Sequence, residues 1–150
     1  MNWKRYAITV VAVFLGAVTT GFLVHAVLLE SAYASIPNAS VIYRSDQDLR
    51  GFMPLLWVGY LGFALGSVWV YAQGVSGRPW LGQGLRFGAA MWLVLTVPSF
   101  LIAAAVQPIP IKLAISQIGY ELINRLLIGA LTAALYRQTA GQPSVRAAAA

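Results

Sequence analysis

Polar side chains interrupt an apolar stretch near the C-terminus, and their spacing places them on one side of a helix. Gln117, Glu121 and Asn124 follow one another at intervals of four and three residues, which is a single helical face. Arg125 comes one turn after Glu121, at the spacing of a helical ion pair. Charged groups within an apolar segment must face protein or water rather than lipid. The chemistry open to this pair is a structural salt bridge, proton coupling or cation binding.

The composition indicates an integral membrane protein. Of the 150 residues, 59% are hydrophobic and 9% are charged, whereas a soluble domain carries about 25% charged residues. The mean hydropathy is +0.73. The net charge of +6 would suggest nucleic acid in a soluble protein. Here the basic residues lie at the ends of apolar runs, so we interpret them as topology signals and predict no nucleic-acid partner.

Four apolar runs predict four transmembrane helices, because each is long enough to cross the hydrocarbon core of a bilayer. We place them at about residues 6–29, 53–73, 87–106 and 113–136. We predict an all-α integral membrane fold in which residues 1–137 form an antiparallel four-helix bundle and residues 138–150 a disordered cytoplasmic tail. A signal peptide is the alternative for the first run, with Ala32-Tyr33-Ala34 as the cleavage pattern. The run exceeds the usual 7 to 15 residues, so we favour a retained helix.

The basic residues also predict orientation. With the N-terminus in the cytoplasm, that side holds Lys4, Arg5, Arg78, Arg86, Arg137 and Arg146. The opposite side holds Arg44, Arg50 and Lys112, offset by Glu30, Asp46 and Asp48. Because positive residues favour the cytoplasmic side, we predict a multi-pass protein with both termini in the cytoplasm.

Depth estimates bring polar side chains of different helices into one layer. At about 1.5 Å per residue from the outer ends, His25 lies about 6 Å deep, Gln117 about 8 Å and Glu121 about 14 Å. Tyr60 and Ser99 fall between them, at about 11 Å. We predict one polar cluster in the outer half of the membrane: His25, Tyr60, Ser99, Gln117, Glu121, Asn124 and Arg125. With no cysteine and one histidine, we predict no catalytic residues, no metal site and no cofactor.

Small residues predict where helices approach closely. Gly59, Gly62 and Gly66 share one helical face, and Gly21 lies on another small-residue stripe. For the first of these faces we favour a contact inside the bundle over one between copies. The glycine-rich residues 74–88 are interpreted as a connection without a phosphate-binding role, since no strand precedes them. Pro98 predicts a kink in the third helix.

Two segments resemble a known group of proteins. They are Gly84-Leu85-Arg86-Phe87-Gly88, and Ile118-Gly119-Tyr120-Glu121-Leu122-Ile123 running into Leu127-Ile128-Gly129-Ala130. Both are similar to small bacterial four-helix membrane proteins grouped as domains of unknown function. The resemblance covers the third and fourth helices. It implies four helices and a bacterial inner membrane, and it carries no catalytic residues over to this chain.

Two functions remain open at this point. The first is a structural or accessory subunit without enzymatic activity, whose partners are membrane lipids and either a larger membrane complex or a second copy of the chain. The second is a small transporter or channel that uses the polar cluster around Glu121 and His25. We favour the first, because Arg125 one turn away neutralises Glu121 and leaves it poorly placed to exchange protons.

Overall fold

The computed structural model of the chain describes residues 2–36 and 42–137. Within these residues the chain forms helices and turns, and no strand. Four of the described helices are long and apolar enough to cross a membrane: Trp3–Leu28, Gln47–Gly74, Trp80–Val106 and Ile111–Leu135. The prediction of an all-helical chain with four such helices is confirmed. The predicted tail, residues 138–150, lies outside the described residues.

The first long helix changes geometry before it ends. Helix α1 (Trp3–Phe22) begins at Asn2, whose side-chain oxygen accepts a hydrogen bond from the Arg5 N–H at 3.1 Å. It continues into the π-helical segment Leu23–Leu28, and the short helix α2 (Glu30–Ala34) follows directly. Such wider turns inside α-helices occur frequently at functional sites.

The second long helix, α3 (Asp46–Gly74), is longer than predicted. Ser45 caps it by accepting a hydrogen bond from the Asp48 N–H at 3.2 Å. From this cap the helix runs unbroken to Gly74. Pro54 therefore lies inside this helix and cannot donate a hydrogen bond to the carbonyl one turn earlier.

The third long helix begins before its predicted start at residue 87. It consists of α4 (Trp80–Met91), the π-helical segment Trp92–Thr96 and α5 (Val97–Val106). Residues 80–88 of the glycine-rich connection that we predicted are therefore helical. The disruption expected at Pro98 takes the form of the π-helical segment, which ends two residues before it.

Helix α6 (Ile111–Leu135) lies at the centre of the fold and packs on α1 and on α4. The Thr20 side chain of α1 meets Asn124 of α6, and the Arg5 side chain meets Arg137, so these helices run antiparallel. The main core joins α1, α3 and α6 through these buried residues: Val10, Val13, Ala17, Ala64, Val68, Tyr71, Ile128 and Ala133.

Helices α4 and α6 cross where both lack side chains. A Cβ atom added to Gly84 would lie 2.6 Å from the carbonyl oxygen of Gly129. A Cβ added to Gly88 would collide with the backbone of Arg125, and one added to Gly129 with the backbone of Gly84. Real Cβ atoms do not approach backbone this closely, so the crossing requires glycine at all three positions. We call Gly84, Gly88 and Gly129 the glycine seam.

The glycine face that we predicted to pack inside the bundle does not do so. No heavy atom of the described chain lies within 4 Å of a Cβ added to Gly59, Gly62 or Gly66, and all three are exposed. The prediction of an internal contact is therefore wrong for these residues, because α3 turns its other side to α1. Gly21, in contrast, packs against the hydroxyl of Tyr60, and a Cβ there would collide with it.

Candidate functional site

The carboxylate of Glu121 is buried and surrounded by partners. The residue is 4% exposed, and the Asn124 side-chain amide lies 3.1 Å from each carboxylate oxygen. Asn124 is held in turn by the Thr20 hydroxyl, which donates to its side-chain oxygen at 2.6 Å. The face predicted from spacing on α6 is thereby connected to α1.

The Arg125 guanidinium joins the same carboxylate to two further helices. Its Nη2 lies 3.1 Å from the Glu121 Oε2 atom. Its Nε donates to the Thr96 hydroxyl at 3.3 Å, and its Cζ lies 4.4 Å from the centre of the Phe63 ring. Arg125 therefore fills the space between α3 and the third long helix. Counting α6 itself, this ion pair therefore contacts three of the four long helices.

His25 lies in the π-helical segment that follows α1, so the first long helix also reaches the Glu121 carboxylate. Its Nε2 lies 3.6 Å from Glu121 Oε1, longer than a hydrogen bond. Its Nδ1 lies 2.8 Å from the Tyr33 hydroxyl, which accepts a hydrogen bond from Gln117 Nε2 at 2.7 Å. Burial raises the pKa of Tyr33, so the hydroxyl is protonated at neutral pH.

These side chains line a cavity of about 250 Å³ among the four long helices, which we call the central cavity. Polar groups come from every long helix, and Leu95 and Phe100 add apolar surface. The polar lining residues are His25, Tyr60, Thr96, Ser99, Glu121, Asn124 and Arg125. Both π-helical segments contribute to the lining, which places the irregular backbone of the bundle beside its buried charges.

Six of the seven residues predicted for the polar cluster line the central cavity. The seventh, Gln117, is connected to it through Tyr33. Sequence reasoning missed Tyr33, Thr96 and Thr20. Tyr33 belongs to the Ala32-Tyr33-Ala34 pattern that we weighed only as a cleavage site. A tyrosine eight residues after His25 and just past the first span is the signal that could have included it.

The described ranges contain no group of three or more His, Cys, Asp or Glu side chains that could hold a metal ion. His25 and Glu121 are the members of these residue types in the cluster, and both have protein partners. The absence of enzymatic activity and of a cofactor stays a prediction.

The fold and the cavity together define a class: an all-helical protein with four helices long and apolar enough to cross a membrane, organised around a buried ion pair. Comparisons with protein-family models, with curated proteins and with solved structures found no match to this chain. The resemblance to small bacterial four-helix membrane proteins therefore stays a prediction.

Proposed function

We propose that the chain is a four-span protein of a bacterial inner membrane, with both termini in the cytoplasm. The four long apolar helices support insertion. The Arg5 Nη1 atom donates to the Arg137 carbonyl at 2.8 Å, so both ends of the described chain lie at one end of the bundle. Arg5, Arg78 and Arg137 lie at this end, and positive residues favour the cytoplasmic side.

We further propose that the protein is an accessory subunit on which a helix of another membrane chain packs. The observation that carries this proposal is the uncovered face of Gly59, Gly62 and Gly66 on α3. Association of helices in lipid depends on close backbone approach, which glycine at such spacing permits. The glycine seam uses the same kind of contact within the chain. The face on α3 has the residues for such a contact and no occupant among the described residues.

Photo-crosslinking from Gly62→Cys tests this proposal. The chain has no cysteine, so a benzophenone attached to the introduced thiol reports one position. In native membranes we expect an adduct with a second membrane chain. An adduct of twice the mass identifies a second copy, and any other discrete mass identifies a subunit of a larger complex.

Ile123→Cys is the matched control. Ile123 is 58% exposed, and it lies near the middle of α6 as Gly62 lies near the middle of α3. We expect no discrete adduct from this position. Absence of an adduct from Gly62→Cys, or equal adducts from both positions, would contradict the accessory proposal.

A small transporter or channel for protons or cations is the second candidate, and the central cavity is the observation that favours it. The cavity contains a carboxylate, a histidine and several hydroxyl groups, the groups that intramembrane proton and ion pathways use. The contacts of Glu121 with Arg125 and Asn124 weigh against it, because they already occupy both carboxylate oxygens. We therefore place the accessory function first.

A further inference from the structure

A second cavity, of about 370 Å³, lies at the end of the bundle where Arg5 meets Arg137. We call it the basal cavity. It is enclosed by the end of α3, the connection after it and the start of α4, together with Arg137. Its position between the end of one candidate span at Gly74 and the start of the next at Trp80 corresponds to the headgroup level of a bilayer.

The charges around the basal cavity are of one sign. Arg78 and Arg137 line it, and no lining residue is acidic. The four acidic residues of the whole sequence are Glu30, Asp46, Asp48 and Glu121. Three belong to the region around the connection between the first two long helices, and the fourth is paired with Arg125 in the central cavity. Among the described residues, no acidic side chain lines the basal cavity beside its two arginines.

Further groups in the basal cavity are suited to an anion. Tyr71 lines it and is 3% exposed, and its hydroxyl makes no hydrogen bond to another described residue. The Arg137 guanidinium carbon lies 4.3 Å from the centre of the Trp80 ring, which holds the charge beside the cavity. Helix α4 begins there without a side-chain cap, so the N–H groups of its first turn add partial positive charge.

We propose that the basal cavity binds a phosphate group. Two guanidinium groups, the Tyr71 hydroxyl, which has no partner among the described residues, and an uncapped helix start are complementary to its oxygens and charge. The phosphate can come from the headgroup of an anionic phospholipid or from free inorganic phosphate. The position at headgroup level favours the phospholipid, because basic pockets at the cytoplasmic ends of membrane helices recognise anionic headgroups.

The test is native mass spectrometry of the full chain in a neutral detergent. Phosphatidylglycerol, phosphatidylcholine and inorganic phosphate are titrated separately, and phosphate is then tested as a competitor. We expect phosphatidylglycerol to bind at least about tenfold more tightly than phosphatidylcholine. Each arginine that contacts the phosphate should increase the binding affinity about tenfold. The double variant Arg78→Gln with Arg137→Gln should therefore weaken binding about a hundredfold.

Arg44→Gln with Arg50→Gln is the control, because it removes the same two charges from the other end of the bundle. It should bind like the unmodified chain. Tyr71→Phe keeps the ring contact with Phe87, at 5.2 Å between centroids, and removes only the hydroxyl. It should weaken binding by up to about tenfold while leaving the fold unchanged.

The outcomes separate the two sources of phosphate. Binding of phosphatidylglycerol that depends on Arg78 and Arg137 and resists inorganic phosphate assigns the site to a lipid. Arginine-dependent binding of inorganic phosphate, with displacement of the lipid, assigns it to the free anion. Equal weakening by both pairs of substitutions, or binding that neither pair changes, would overturn the proposal.

Discussion

Arg125→Leu is expected to lower the free energy of unfolding by about 3–5 kcal/mol, which is the cost of leaving one member of a buried ion pair without its partner. The Glu121 side chain is 5% exposed and the Arg125 side chain 20% exposed, so water replaces little of the lost interaction. The substitution also removes the contacts of the guanidinium with Thr96 and Phe63. The loss should appear as a lower thermal midpoint and a smaller folded fraction in mild detergent.

The double variant Glu121→Gln with Arg125→Leu gives the sharper comparison. It removes both charges, and glutamine can still accept a hydrogen bond from Asn124. We expect it to be more stable than Arg125→Leu alone, although below the unmodified chain. A double variant that loses as much as the sum of both single variants would show that the two residues act independently, against the pairing seen here.

Alanine in the glycine seam is expected to have the second large effect. In Gly88→Ala the new methyl group meets the Arg125 backbone, and in Gly129→Ala it meets the backbone of Gly84. Backbone cannot move aside as a flexible side chain can, so α4 and α6 must separate. Overpacking of this kind costs about 1–3 kcal/mol or more per site. Thermal unfolding in detergent measures it.

Gly82→Ala and Gly119→Ala are the controls, one on each of the same two helices. No heavy atom of the described residues beyond the local helix backbone lies within 4 Å of a Cβ at either position. Alanine is the better helix former by up to about 1 kcal/mol, so both should be neutral or slightly stabilising. Equal stability of all four variants would contradict the close crossing of α4 and α6.

The polar cluster could be predicted from the sequence because its signal is local. Polar residues in an apolar run must point away from lipid, and helical spacing then determines their common face. Estimated depth was sufficient to place His25 and Glu121 in the same half of the membrane. Tyr33 could not be placed this way, since its position depends on the break at Leu29 between helix α2 and the π-helical segment that carries His25.

The glycines show what spacing alone does not determine. Gly59, Gly62 and Gly66 have the spacing of a packing face, but spacing does not specify which neighbour occupies it. Gly84 and Gly88 have the same four-residue interval, and we interpreted residues 74–88, which include both, as a glycine-rich connection. Glycine is a weak helix former. Packing against Gly129 outweighs that preference. Tertiary contact, rather than local propensity, decides where this third helix begins.

The central claim is that the ion pair of Glu121 and Arg125 stabilises the bundle, and that the chain does not transport protons or cations through the central cavity. Proton and cation flux into sealed proteoliposomes tests it most directly, comparing the unmodified chain with Glu121→Gln that has been shown to be folded. Gramicidin added at the end confirms that the vesicles were sealed. We predict no flux above that of protein-free vesicles for either chain. Flux through the unmodified chain that is lost in folded Glu121→Gln would contradict the claim and establish the central cavity as a pathway.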